Sequence, residues 1–172
     1  NHDDLWSFEG KNVPIHWHND LEINLIREGE AVFQVYQKSY RVRTGEGFLL
    51  NRNVPHSCSS PGNEHVRYST ILVRPDFLYG DFGSDVERKC FQPFLQNSAI
   101  PCIYLTGFDE NGKEILQKLN QVEEAFDQKR FCYELKIKGL LCEAFAMILY
   151  GHRQELTKFV PANLQELERL EK

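Results

Sequence analysis

Residues 10–29 read GKNVPIHWHNDLEINLIREG and combine short apolar runs with two histidines and a glutamate at fixed spacing. In a β-strand, alternate side chains lie on one face of the sheet. His16, His18 and Glu22 are separated by even numbers of residues, so one continuous strand would place all three on the same face. The stretch therefore predicts a strand that directs a polar cluster into the interior of a β-barrel.

Short strands are predicted on both sides of this cluster, up to residue 74. They lie where Val, Ile, Leu, Phe and Tyr are concentrated between turn residues: Leu21–Arg27, Ala31–Tyr36, Ser39–Arg43, Gly47–Leu50 and Arg67–Val73. Strands this short, at intervals of roughly 8–12 residues, favour an antiparallel sandwich or barrel.

After residue 74 the apolar spacing becomes helical. A short helix is expected around Asp85–Leu95 and an extended segment near Cys102–Leu105. The following helix carries apolar residues at steps of four, three and four: Ile115, Leu119, Val122 and Phe126. Further helices are predicted over Phe131–Tyr150 and Leu164–Lys172. Strands followed by helices predict the α+β class.

The apolar arc of the helix predicted over Phe131–Tyr150 is wide enough to have two parts. Such a helix either packs only on its own chain or also contacts a second subunit. Both can hold, because two faces can serve two partners, and Leu141, Phe145 and Ile148 lie on this arc.

The composition argues against a nucleic-acid-binding or membrane role for the chain itself. It has 25 acidic and 20 basic residues and a net charge of −5, whereas DNA-binding domains carry a basic surface. The sequence contains no run of roughly 18 apolar residues, the length that would span a bilayer. Residues 1–10 lack the pattern of a signal peptide. Five cysteines without a Cys-x-x-Cys pair are typical of reduced thiols, so we expect a cytoplasmic protein.

The spacing of Gly10, His16, His18, Glu22 and Gly29 matches the first signature motif of the cupin superfamily position for position. On these residues the chain resembles a cupin, and the resemblance implies a jelly-roll barrel.

The second cupin motif is present in a degraded form. Gly45 and His56 occupy their expected positions. Asn51 stands where the pattern prefers Pro, Asn53 replaces a second Gly, and Ser60 replaces a final Asn.

Residues 16–57, HWHNDLEINLIREGEAVFQVYQKSYRVRTGEGFLLNRNVPHS, further resemble the sensor domain of AraC/XylS transcription regulators. The resemblance implies a sensor barrel with an N-terminal arm in residues 1–106, and a helical dimerisation segment with the start of a linker in residues 107–172, forming one structural unit. It also implies a small-molecule effector, sugar-like or aromatic. It further implies a homodimer, and we expect Leu141, Phe145 and Ile148 of the predicted helix Phe131–Tyr150 at the dimer interface. DNA would be bound only by a C-terminal helix-turn-helix domain, which we expect to be absent from this chain.

Candidate ligand-binding residues are the polar residues that can face the barrel interior and the aromatic residues that could stack on an effector: His16, His18, Glu22, Asn24, His56, Trp6, Phe8 and Tyr36. Three imidazoles and one carboxylate, from His16, His18, Glu22 and His56, also suit a divalent metal ion. Regulators with a cupin fold often keep these residues for ligand hydrogen bonds or for structure, so we expect no required cofactor and regard a divalent metal as possible.

Two other functions use the same residues. A small metal-dependent cupin enzyme (a dioxygenase, an isomerase or a decarboxylase) would need an open metal coordination position. The long helical C-terminal third argues against it, and we expect a non-enzymatic sensor. A purely structural cupin is disfavoured because buried His and Glu side chains are costly unless they are used.

Overall fold

The computed structural model describes residues 2–4, 12–62 and 64–158. Trp6, Phe8 and the helix predicted over Leu164–Lys172 lie outside the described residues. The described strands, in chain order, are β1 His2–Asp4, β2 Asn12–His16, β3 Leu21–Glu28, β4 Glu30–Val35, β5 Lys38–Arg43, β6 Gly47–Leu50, β7 His56–Ser59, β8 Arg67–Val73 and β9 Cys102–Leu105.

The strands form two antiparallel sheets. One has five strands in the order β1-β8-β3-β6-β9, and the other has four in the order β2-β7-β4-β5. The helices are α1 Pro75–Tyr79, α2 Gln92–Leu95, α3 Glu110–Gln128, α4 Tyr133–Gly151 and α5 Arg153–Thr157, and a π-helical turn over Glu87–Phe91 leads into α2. The predicted α+β class, with a cupin-type double-sheet β part followed by a helical hairpin, is confirmed.

The predicted strand Gly47–Leu50 and the predicted segment Cys102–Leu105 coincide with β6 and β9. The sequence does not single out β7, whose residues His-Ser-Cys-Ser lack the branched apolar side chains typical of strands. It is a strand because it pairs with β2 on one side and β4 on the other.

Position 29 of the first motif requires glycine for a steric reason. Its φ is +80°, in the left-handed region, and a Cβ there would lie 2.3 Å from the carbonyl oxygen of His65. A residue with a side chain would be strained and would clash with the backbone after β7.

The interior between the two sheets is filled by apolar side chains over part of its length. Phe33 from β4 stacks on Phe48 from β6 with ring centroids 4.8 Å apart, and both are fully buried. Ile26 and Tyr68, paired on β3 and β8, belong to the same core. Close packing of these side chains leaves the polar residues farther along the strands to form the site.

The chain divides into two compact units. The first comprises residues 1–74 and 101–117, and the second comprises residues 75–100 and 118–172. This division differs from the predicted one at residue 106, because residues 75–100 fall with the helices and the start of α3 falls with the sheets.

In the second unit, Phe91 contacts Phe145 with ring centroids 5.8 Å apart, and the Lys118 ammonium lies 2.5 Å from the Glu143 carboxylate. No helix among the described residues has both the length and the apolar content needed to cross a bilayer.

The predicted dimer-interface residues are not at the surface. Leu141, Phe145 and Ile148 are 2%, 1% and 2% exposed in the single chain, so they have no free surface for a second subunit. Periodicity shows that a helix buries a face, but it does not show what covers that face. Large apolar residues that are exposed in α3, α4 and the loop between them include Phe126, Phe131, Leu135 and Tyr150.

Candidate functional site

Four of the predicted site residues come together. His16, His18, Glu22 and His56 each offer one nitrogen or oxygen atom, and these four atoms all lie within 4.8 Å of one another. Glu22 and His56 are buried, at 8% and 2% exposure, whereas His16 and His18 are half-buried.

The strand that was predicted to carry these residues is not continuous. β2 ends at His16 in the four-stranded sheet, and β3 begins at Leu21 in the five-stranded sheet. The parity argument for His16, His18 and Glu22 is therefore wrong, because the chain crosses between the sheets over residues 17–20. The side chains converge because the two sheets face each other across the cluster.

His56 reaches the cluster from β7. It lies directly opposite His16 in the antiparallel pair of β2 and β7, so the two side chains share a face. Their ring centroids are 4.3 Å apart.

All three imidazoles are held in one tautomer by backbone carbonyls. His16 Nδ1 is 2.9 Å from Pro14 O, His18 Nδ1 is 3.0 Å from Asp20 O, and His56 Nδ1 is 2.8 Å from Val54 O. A carbonyl oxygen only accepts, so each Nδ1–H must donate. A neutral ring then keeps its lone pair on Nε2, which is the arrangement found in histidines that bind metals.

Glu22 is the charged centre of the site. Its Oε2 atom lies 2.8 Å from His18 Nε2 and 3.4 Å from His56 Nε2, and its Oε1 atom accepts a 2.7 Å hydrogen bond from Asn24 Nδ2. Burial raises the pKa of Glu22, but the interactions with His56, Asn24 and His18 outweigh burial and lower this pKa to about 2. Glu22 is therefore a carboxylate at neutral pH.

Burial lowers the pKa of His56, but the Glu22 carboxylate and the Val54 carbonyl outweigh burial, so the net shift is upward. The 3.4 Å contact with Glu22 is within ion-pair distance. It does not have hydrogen-bond geometry, so among the described residues His56 Nε2 is a buried nitrogen without a hydrogen-bond partner.

The contact between His18 and Glu22 requires positive charge. His18 donates Nδ1–H to Asp20 O, so a neutral ring would turn the Nε2 lone pair toward an ionised oxygen only 2.8 Å away. Either a second proton on His18 or a cation beside it removes this repulsion. The cluster brings together three imidazole nitrogens and one carboxylate oxygen, and His56 Nε2 is the buried nitrogen that lacks a hydrogen-bond partner among the described residues. Such a set of ligand atoms fits a divalent metal ion.

Asn24 lies behind Glu22 and does not line an open pocket. It is 0% exposed, and its Oδ1 accepts a 2.9 Å hydrogen bond from the Thr70 hydroxyl. This bond turns the amide so that Nδ2 faces Glu22. The predicted ligand contact of Asn24 is thus replaced by a supporting role.

Two residues of β8 lie beside the site but were not predicted as site residues from the sequence. Thr70 and Leu72 lie opposite Asn24 and Glu22 in the antiparallel pair of β8 and β3, so they share their face. Leu72 is 55% exposed although it lies beside the buried cluster. Alternation within Arg67–Val73 is the signal that could have identified both.

Tyr36 is the only predicted aromatic ligand residue among the described residues. It lies in the turn between β4 and β5, has a left-handed φ of +53°, and is 54% exposed. Its backbone amide lies 3.5 Å from Pro55 O, close to where β7 begins. Its contact with an effector stays a prediction.

Comparison with known proteins gives one family and one curated regulator. The model of the AraC-like ligand binding domain family matches residues 5–145. The uncharacterized HTH-type transcriptional regulator YdeC of Bacillus subtilis (strain 168) is 26% identical over 125 residues, which are 73% of this chain and 42% of that protein. The chain thus spans less than half the length of this relative.

Two similar solved structures each match little more than a third of the chain. The Schizosaccharomyces pombe Cnp3 cupin domain has 19% identity and a TM-score of 0.35, over 37% of this chain and 47% of that chain. The Escherichia coli pirin YhhW, solved in complex with nickel(II), has 20% identity and a TM-score of 0.36, over 38% of this chain and 30% of that chain.

Proposed function

The chain belongs to the AraC-like ligand-binding domain family, and from this premise we propose that it senses a small effector at His16, His18, Glu22 and His56. The observation that carries the proposal is the convergence of these four side chains beside a core of buried apolar residues. A regulatory role agrees with the similarity to a helix-turn-helix regulator.

The chemistry of the cluster favours a ligand that donates hydrogen bonds or carries positive charge. The Nε2 atoms of His16 and His56 and the carboxylate of Glu22 are acceptors when the imidazoles are neutral. A sugar-like effector would donate its hydroxyl groups to them. An aromatic effector would instead rely on apolar contact, for which exposed Leu72 lies beside Glu22.

We propose that effector binding controls a DNA-binding domain C-terminal to this chain, in a cytoplasmic homodimer. The Bacillus subtilis relative supports a separate DNA-binding domain, since it is an HTH-type regulator and the match covers only 42% of its length. The net charge of −5 is consistent with DNA contact by another domain.

A metal-dependent enzyme is the second candidate, and the orphaned Nε2 of buried His56 favours it. His16, His18, Glu22 and His56 would hold a divalent ion. When bound, such an ion would supply Lewis-acid chemistry for an isomerase or decarboxylase reaction, or redox chemistry for a dioxygenase reaction.

Elemental analysis and calorimetry of the purified chain separate the two candidates. The sensor proposal predicts binding of a compound from a panel of sugars and aromatic acids, without turnover. The double substitution His18→Asn and Glu22→Gln should weaken this binding at least about tenfold, whereas Glu30→Gln, at an exposed ion pair, should not. Stoichiometric metal together with turnover of a panel compound would support the enzyme, and unchanged affinity of the double variant would refute the site.

A further inference from the structure

Two crossovers between the sheets meet at the candidate site. Residues 17–20 lead from β2 to β3, and residues 51–55 lead back from β6 to β7. One backbone hydrogen bond joins them, because the amide of Asn53 donates to the carbonyl oxygen of His18 at 2.7 Å.

Asn53 makes this bond from an unusual backbone conformation. Its φ is +58°, in the left-handed region that residues with a Cβ rarely adopt and that Asn tolerates better than most. Asn53 also stands where the cupin pattern has a second glycine, which adopts the same conformation without strain. The departure from the motif therefore keeps the backbone geometry of the turn.

Both crossovers also hold the imidazole rings. The carbonyl of Asp20 accepts from His18 Nδ1, and the carbonyl of Val54, the residue after Asn53, accepts from His56 Nδ1. The turn is anchored at its start, where the Asn51 amide donates to Pro101 O at 2.9 Å. A change of the backbone at Asn53 would therefore move the amide that donates to the His18 carbonyl. It would also move the neighbouring Val54 carbonyl, which accepts from His56 Nδ1.

We propose that Asn53 is a positioning residue, whose left-handed backbone sets the orientation of His18 and His56 toward Glu22. The exposed side chain of Asn53 has no part in this role, which the backbone amide and φ perform. The inference rests on the proposed function, since it takes both histidines to be binding residues.

The test compares Asn53→Val with Asn53→Gly in the intact 172-residue chain. Valine disfavours the left-handed conformation and glycine permits it, while neither carries the amide side chain. Cys132→Val is the matched control, because Cys132 has a left-handed φ of +63° in the helical unit. Long-range ¹H–¹⁵N correlation spectra of the imidazoles report the tautomer and the Nδ1–H hydrogen bond of each histidine.

We expect Asn53→Val to reduce the population of the left-handed turn roughly 5- to 30-fold relative to competing conformations. The Nδ1–H signals of His18 and His56 should then broaden or shift, while Asn53→Gly and Cys132→Val keep the wild-type signals. Unchanged ring signals in Asn53→Val, or equal changes in the valine and glycine variants, would overturn the proposal. If Asn53→Val does not fold, Asn53→Ala provides the same comparison with a smaller side chain.

The spectra need no ligand, so the positioning role and the proposed function are tested separately. Disturbed rings in Asn53→Val support the positioning role even if no compound of the effector panel binds. Undisturbed rings refute it even if an effector is found.

Discussion

The imidazole rings of His16 and His56 lie 4.3 Å apart, on neighbouring antiparallel strands of one sheet. Each ring already donates Nδ1–H to a backbone carbonyl, which leaves both Nε2 atoms as acceptors. The pair thus favours a cation or a hydrogen-bond donor as its partner.

The stability of the fold should depend on the ionisation of Glu22 in acid. Its pKa is lowered from 4.5 to about 2, so its stabilising contribution is present above pH 4.5 and is lost as the pH falls through about 2. We expect the wild type to exceed Glu22→Gln in free energy of unfolding by about 1.5–3 kcal/mol at neutral pH. Urea unfolding at several pH values measures this difference, and a difference that does not shrink between pH 4.5 and pH 2 contradicts the prediction.

A divalent metal probe should stabilise the chain through His56. Adding Zn²⁺ at about 100 times its dissociation constant should raise the free energy of unfolding by about 2.7 kcal/mol. His56→Ala should lose this gain, whereas His65→Ala, at a half-exposed surface histidine, should keep it. Thermal unfolding with and without Zn²⁺ provides the measurement.

The Zn²⁺ effect should weaken in acid, because histidine ligands bind metal only when deprotonated. Because the pKa of His56 is raised, this loss should begin at a higher pH than it would for an unperturbed histidine. An identical Zn²⁺ shift in His56→Ala and His65→Ala, or no shift at all, would argue against metal binding at this site.

The Thr70 hydroxyl should contribute to stability and to effector binding through its hydrogen bond to Asn24. Thr70→Val removes the donor to Asn24 Oδ1 and leaves a buried amide oxygen unsatisfied. We expect a loss of about 1–3 kcal/mol in unfolding free energy, together with weaker effector binding. Thr44→Val is the matched control, since its hydroxyl donates to Gly29 O at the exposed surface. Equal losses in the two variants would show that Asn24 does not depend on Thr70.

Substitutions in α4 should separate folding from dimer formation. Leu141→Glu places a charge at a position only 2% exposed, so it should unfold the helical unit rather than yield a folded monomer. Leu135→Glu, at a position 70% exposed, should keep the wild-type melting temperature. Sedimentation of the Leu135 variant then tests whether a homodimer uses the exposed face. A stable, folded Leu141→Glu monomer would restore the interface predicted from the sequence.

Prediction from the sequence succeeded where local spacing carries the information. The concentration of Val, Ile, Leu, Phe and Tyr between turn residues located β6 and β8, and helical spacing located α3 and α4. The motif spacing also selected His16, His18, Glu22 and His56, because their residue types are unusual in a barrel interior. The motif spacing did not identify Thr70, which lies outside both motifs and donates its hydrogen bond to Asn24, a residue distant in sequence.

The α+β order of the elements and the four polar residues of the site could be predicted from residue types and their spacing along the chain. The folded structure was needed to show that the chain crosses between sheets after His16, that Asn24 supports Glu22, and that Leu141, Phe145 and Ile148 are buried. Periodicity reports which face of an element is covered. What covers that face depends on contacts between segments far apart in sequence, and these exist only in the folded chain.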